Sequence, residues 1–129
     1  MSVQVRAVVA EPQGDVFHSN CPARTVLDHV TSRWGVLILA ALHERPRRFS
    51  ELRRRIGGVS EKMLAQTLRT LEADGFVDRH VTPSKPPRVS YSLTALGDEA
   101  ATHVTGLLDW VNTRVPDIVA ARQFVEPVA

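Results

Sequence analysis

The chain holds one cysteine, seven aromatic side chains and no long apolar run, and each shortage removes a class of protein. A single cysteine cannot close an intrachain disulfide, so the fold must rest on its core, as suits a reducing compartment such as the cytoplasm. The longest unbroken apolar stretch, Val36 to Leu42, is only about a third of what a bilayer-spanning helix requires. The N-terminus offers Arg6 and scattered valines instead of a continuous apolar segment, so no secretory signal is expected. No glycine-rich phosphate loop and no Ser-His-Asp spacing occurs, which points away from an enzyme and implies no cofactor. The five histidines are dispersed. His18, Cys21 and His29 fall short of a metal site, because no second cysteine or close histidine pair completes them.

Within 129 residues, 43% apolar and 23% charged, one globular domain with a modest core is expected. The net charge of +2 is unremarkable, but its distribution is not. Residues 45–88 carry 11 Lys/Arg against 5 Asp/Glu, while the remainder carries 5 against 9. A basic middle between acidic flanks is the footprint of a polyanion partner, although such runs also arise as solvated faces. Fourteen of the sixteen basic residues are arginine, whose planar fork suits phosphates and guanine edges.

The pattern along the chain predicts a mainly α fold with a small β-hairpin (α+β). Residues 1–20 read as an N-terminal arm, with Val3, Ala7 and Val9 in a weak strand-like alternation. A first helix begins at Pro22, with Val26, Leu27 and Val30 on its apolar face. A second spans Trp34 to His43, apolar nearly all round and hence central. A third is expected from Ser50 as N-cap to the Gly57-Gly58 break, and a fourth from Ser60 to Asp74-Gly75. Residues 76–81 and 88–93 are β-rich, and Pro83-Ser84-Lys85-Pro86-Pro87 forms a stiff tip between them. A last helix starts at Thr94, with an apolar stripe through Leu96, Ala100, Val104, Leu107, Leu108, Val111 and Val115 and Trp110 at its edge. That stripe exceeds what docking one helix to a small domain needs, which predicts a homodimer through Leu96, Val104, Leu107, Leu108, Trp110 and Val111. Residues 120–129 read as a tail.

Two helices joined by a tight turn and followed by a hairpin make a winged helix-turn-helix, which places the second helix in the major groove of double-stranded DNA. On that helix Lys62, Gln66 and Arg69 stand opposite the Leu64, Leu68 and Leu71 stripe, with Ser60 and Thr70 beside them. Lysine and arginine favour guanine edges or phosphates, and glutamine can pair with adenine. Arg53, within Arg53-Arg54-Arg55, is placed for a phosphate, and Lys85 and Arg88 flank the tip for phosphate or minor groove. The alternative is a winged helix that binds an acidic protein. Cys21 admits two readings: a thiolate stabilised by the start of the first helix and by Arg24, or a small packed hydrophobe.

The runs Cys21-Pro22 through Arg33-Trp34, RRFSELRR, SEKMLAQTLRTLEADGFVDR and PPRVSYSLTALG resemble the HxlR-type bacterial transcriptional regulators over about residues 21–115. MarR- and ArsR-type regulators share the general fold but lack this wing. The resemblance implies a winged helix-turn-helix domain over residues 21–119. It also implies a homodimer joined through N-terminal and last helices, regulation (repression in the first instance) at an operator of two half-sites, and a response to a small-molecule or electrophile inducer. Some relatives sense disulfide stress, quinones or aldehydes through the cysteine of the Cys-Pro pair, here Cys21; others have no such role assigned to it. With no second cysteine, only an intersubunit disulfide, a mixed disulfide or alkylation could serve here.

Overall fold

The computed structural model describes residues 14–122, and the alternating valines of the arm lie outside them. Helix α1 covers Pro22–Val30 with proline at its first turn, and α2 covers Arg33–Glu44. Ser32 caps α2, its hydroxyl accepting the Gly35 N–H at 3.1 Å, and extended backbone at Arg45 ends it before Pro46. As its all-round apolar character requires, α2 is central: it touches α1, α3, α4, α5 and β3.

A two-residue strand β1, Arg47–Arg48, then pairs antiparallel with β3, Arg47 opposite Tyr91 and Arg48 opposite Ser90. This changes the expected start of α3, which covers Phe49–Arg55. Ser50 lies inside the helix and does not cap it. Strand pairing holds Arg48 extended, and the Glu51 carboxylate, three residues on, accepts the Arg48 N–H at 2.8 Å.

Helix α4, Glu61–Ala73, starts where Ser60 accepts the Met63 N–H at 3.1 Å. It ends at Gly75, whose φ of 85° lies in the left-handed region that glycine adopts without strain. Strands β2 (Val77–Thr82) and β3 (Arg88–Leu93) form the wing, giving a sheet of order β1-β3-β2. Helix α5, Ala95–Arg122, runs 28 residues, about 42 Å, and passes through Pro116. Thr94 fixes its origin: its hydroxyl donates to the Gly75 carbonyl at 2.6 Å and accepts the Gly97 N–H at 2.9 Å.

Ile38, Leu39, Leu52, Leu64, Leu68, Leu71 and Val77 are the largest fully buried side chains. Arg47 is buried with them; its Nε donates to the Ala41 carbonyl at 3.0 Å and Nη2 pairs with Glu44. Among the described residues no helix is long and apolar enough to cross a membrane.

Candidate nucleic-acid interface

Burial of Leu64, Leu68 and Leu71 turns the opposite face of α4 to solvent, and Lys62, Gln66 and Arg69 are all exposed on it. Ser60 is exposed at the helix start, its oxygen engaged as the cap. Thr70 is half-buried and its hydroxyl donates back to the Gln66 carbonyl at 3.2 Å, so it sits at the edge of this face. Met63, 38% exposed, adds an apolar edge of the kind that meets thymine methyl groups.

The three consecutive arginines do different things. Arg53 Nη1 donates to Glu61 at 3.0 Å across the α3–α4 turn, and with Arg54 it lines an open cleft that includes Gly58 and Ser60. Arg55 is drawn away from this face: its Nε and Nη2 donate to the two carboxylate oxygens of Glu44 at 2.9 and 2.6 Å. Those bonds, with the Arg47 guanidinium, hold the Glu44 carboxyl down at about 2. The Arg48 N–H similarly lowers Glu51 from the usual carboxylate value.

Lys85 and Arg88 line a second open cleft together with Arg48, Phe49 and Ser50. Phe49 and Ser50 belong to both clefts, so a single basic surface runs from the α3–α4 turn, over the start of α3, to the wing. Arg48 and Glu61 are members of it that the sequence did not single out, whereas Arg54 is placed with Arg53 and Arg55 for phosphate contact. Arg48 would have required recognising a strand too short to carry a period.

Cys21 is 3% exposed at the N-cap of α1. An accessible thiolate is therefore not what this domain presents. Arg24 is not merely solvated: its Nε donates to the Val16 carbonyl at 2.8 Å and Nη2 to that of Phe17 at 3.3 Å, tying down the segment ahead of α1. Among the described residues no cluster of three His, Cys, Asp or Glu side chains could hold a metal ion.

On α5 the apolar stripe divides. Val104 is buried in its own domain's core and so leaves the expected intersubunit set, while Leu108 is half-buried and lines a cleft beside α2. Leu96, Leu107, Trp110 and Val111 remain in water, Leu107 and Trp110 each 56% exposed. Farther along, Val115, Ile118 and Val119 are exposed too. The whole of α1 buries no side chain, and Val26 and Leu27 face outward instead of packing inward.

A helix-turn-helix with an exposed polar recognition face and a basic wing defines a DNA-binding regulator of the winged-helix class. The HxlR-like helix-turn-helix family matches residues 29–118, and the chain belongs to it. A helix-turn-helix transcriptional regulator of Escherichia coli K12 named YtfH, itself uncharacterised, is 56% identical over 110 residues, covering 85% of this chain and 87% of that one. The solved structure of ytfH from Salmonella typhimurium, 55% identical, superposes with a TM-score of 0.80 over 84% of this chain and 96% of that one. The oxidised form of the redox regulator HypR, 34% identical, gives 0.67 over 72% and 96%.

Proposed function

We propose that this transcriptional regulator acts as a homodimer on an operator of two half-sites, with repression as the simplest outcome of occupying promoter DNA. The observation that carries the reading is the continuity of exposed Lys62, Gln66 and Arg69 with the two basic clefts that share Phe49 and Ser50. In this reading Lys62, Gln66 and Arg69 meet base edges, with Thr70 at the margin of the groove and Ser60, the cap of α4, at its entrance. Arg53, Lys85 and Arg88, joined by Arg48, follow the phosphates.

Dimerisation rests on the exposed Leu96, Leu107, Trp110 and Val111 face, with α1 contributing Val26 and Leu27. Contiguous apolar area of this kind rarely stays in water. Two recognition helices about 34 Å apart would then enter successive major grooves. Cys21 supports a redox or electrophile response only if α1 first lifts from the domain, since the thiol is covered in the closed form. The test is fluorescence anisotropy of labelled upstream duplex against a shuffled duplex, with sedimentation for the dimer. Selective binding with two-fold operator symmetry supports the reading; a micromolar monomer that binds both duplexes alike contradicts it.

A further inference from the structure

Helix α5 closes tightly on the domain at one end and leaves it at the other. At Gly97 a Cβ would lie 2.0 Å from the Phe76 carbonyl oxygen, and Ala101 is fully buried. Beyond Val104 no described α5 residue is buried. In the wedge between α5 and α2 a cleft of about 280 Å³ opens. Leu37, Ala40, Ile56 and Leu108 give it apolar walls, and Arg55, its partner Glu44 and Asn112 give it a polar rim. Small residues create the space: Ala40 stands on one wall, and at Gly57 an added Cβ would meet nothing within 4 Å.

The rim has a sign. The Glu44 carboxylate is shared between Arg55 and Arg47, so two guanidinium groups face one carboxylate and the cluster carries net positive charge. Arg55 gives Nε and Nη2 to Glu44, which leaves Nη1 for an acceptor, and the Asn112 amide lines the same cleft. An apolar slot ending in a net positive, donor-bearing rim suits a small apolar acid.

We propose that this cleft is an effector site for a small aromatic or branched aliphatic carboxylate, its body against Leu37, Ala40, Ile56 and Leu108 and its carboxylate on Arg55 and Asn112. Leu96, Leu107 and Trp110 of the intersubunit face lie about 100° or more around the helix from Leu108, and Val111, about 60° from it, is the edge of that face nearest the cleft. The site is bounded by α5 on one side and by the helix-turn-helix turn at Ile56 and Gly57 on the other. A ligand that wedges them apart changes the angle between the dimerisation helix and the recognition helix, and so the fit of two such helices to one DNA spacing. This regulatory role rests on the dimeric DNA-binding reading above; the binding of the acid does not.

The experiment titrates benzoate, benzyl alcohol and benzylamine into the full chain, followed by backbone amide shifts and by duplex anisotropy. Saturable benzoate shifts are expected at Ile56, Gly57, Leu108 and Asn112, with benzyl alcohol weaker by about tenfold for loss of the charge-assisted bonds and benzylamine not bound. Ala40→Phe fills the slot and Asn112→Leu removes the rim amide; each should abolish the shifts, so misfolding of one still leaves the other decisive. Saturating benzoate should weaken operator binding about threefold or more in the parent and not in Ala40→Phe. No saturable benzoate binding, equal binding of benzylamine, or unchanged binding by both variants overturns the site. Benzoate binding that leaves operator affinity untouched overturns its regulatory role. Benzoate binding by a chain that binds no duplex would sink the DNA reading and keep the acid site, whereas duplex binding without benzoate binding does the reverse.

Discussion

His29 Nδ1 and Asp74 Oδ2 lie 2.5 Å apart, joining the last turn of α1 to the C-cap of the recognition helix across 45 residues of sequence. Both are partly shielded from water. No side chain of α1 is fully buried, so this bond joins the half-buried Val30 and the covered Cys21 in holding the helix to the domain.

A double-mutant cycle on His29→Ala and Asp74→Ala should therefore give a coupling of about 1 kcal/mol in urea unfolding. The single variants should also raise the protection loss of α1 amides in hydrogen exchange more than that of α4. Additive single losses would show that the two side chains are merely neighbours.

Gly97→Ala should destabilise the domain by about 1–3 kcal/mol, although alanine is the better helix former. The added methyl would meet the Phe76 backbone, which cannot swing aside as a side chain could. Thermal unfolding measures it, and a neutral or stabilising alanine would mean that α5 is free to slide.

Glu44 sets an acid limit. Its carboxyl sits near 2 when folded, against 4.5 as the ordinary value, so its contribution is present above pH of about 5 and is lost as pH falls through 2. The side chain is 44% exposed, so each pair is worth no more than about 1 kcal/mol. Glu44→Gln should lower stability at pH 7 and flatten its decline between pH 5 and 2. A variant whose acid unfolding parallels the parent would place the sensitivity elsewhere.

Lys62→Ala, Gln66→Ala and Arg69→Ala should each narrow the gap between specific and random DNA, by about 1–3 kcal/mol for a residue that reads a base. Arg53→Ala and Lys85→Ala should weaken both duplexes alike. Glu61→Gln, which releases Arg53 and removes a negative charge from the turn, should strengthen both. Anisotropy on the paired duplexes separates these outcomes, and equal losses throughout would place the reading face elsewhere.

Alkylation of Cys21 should proceed only through openings that expose it, so iodoacetamide modification should be slow at pH 7 and should accelerate in His29→Ala. Mass spectrometry follows it directly. Rapid modification of the parent would show that the thiol is accessible without movement of α1.

Much of the scaffold was legible because its signals are local. Ser60 as a cap, Gly75 as a stop, the leucine stripe of α4 and the proline-tipped hairpin each act within a few residues. β1 escaped because two residues carry no period and pair only with a strand more than forty positions away. The start of α3 shifted for the same reason, since that pairing holds Arg48 extended. On α5 periodicity located an apolar surface but could not divide it. Which part faces its own domain depends on where α2 lies, and this took Val104 inward and left Trp110 outside. Among Arg53, Arg54 and Arg55, only the fold shows that Glu44 claims the last.

If an exposed polar helix face on a dimer reads DNA, one titration shows it. Affinity for the chain's own upstream duplex and for its shuffled counterpart would be measured across a salt series. Tighter binding to the upstream duplex is expected at every salt concentration, with log–log slopes of about −0.9 for each phosphate neutralised. Equal affinities, or a slope near zero on the upstream duplex, would contradict it.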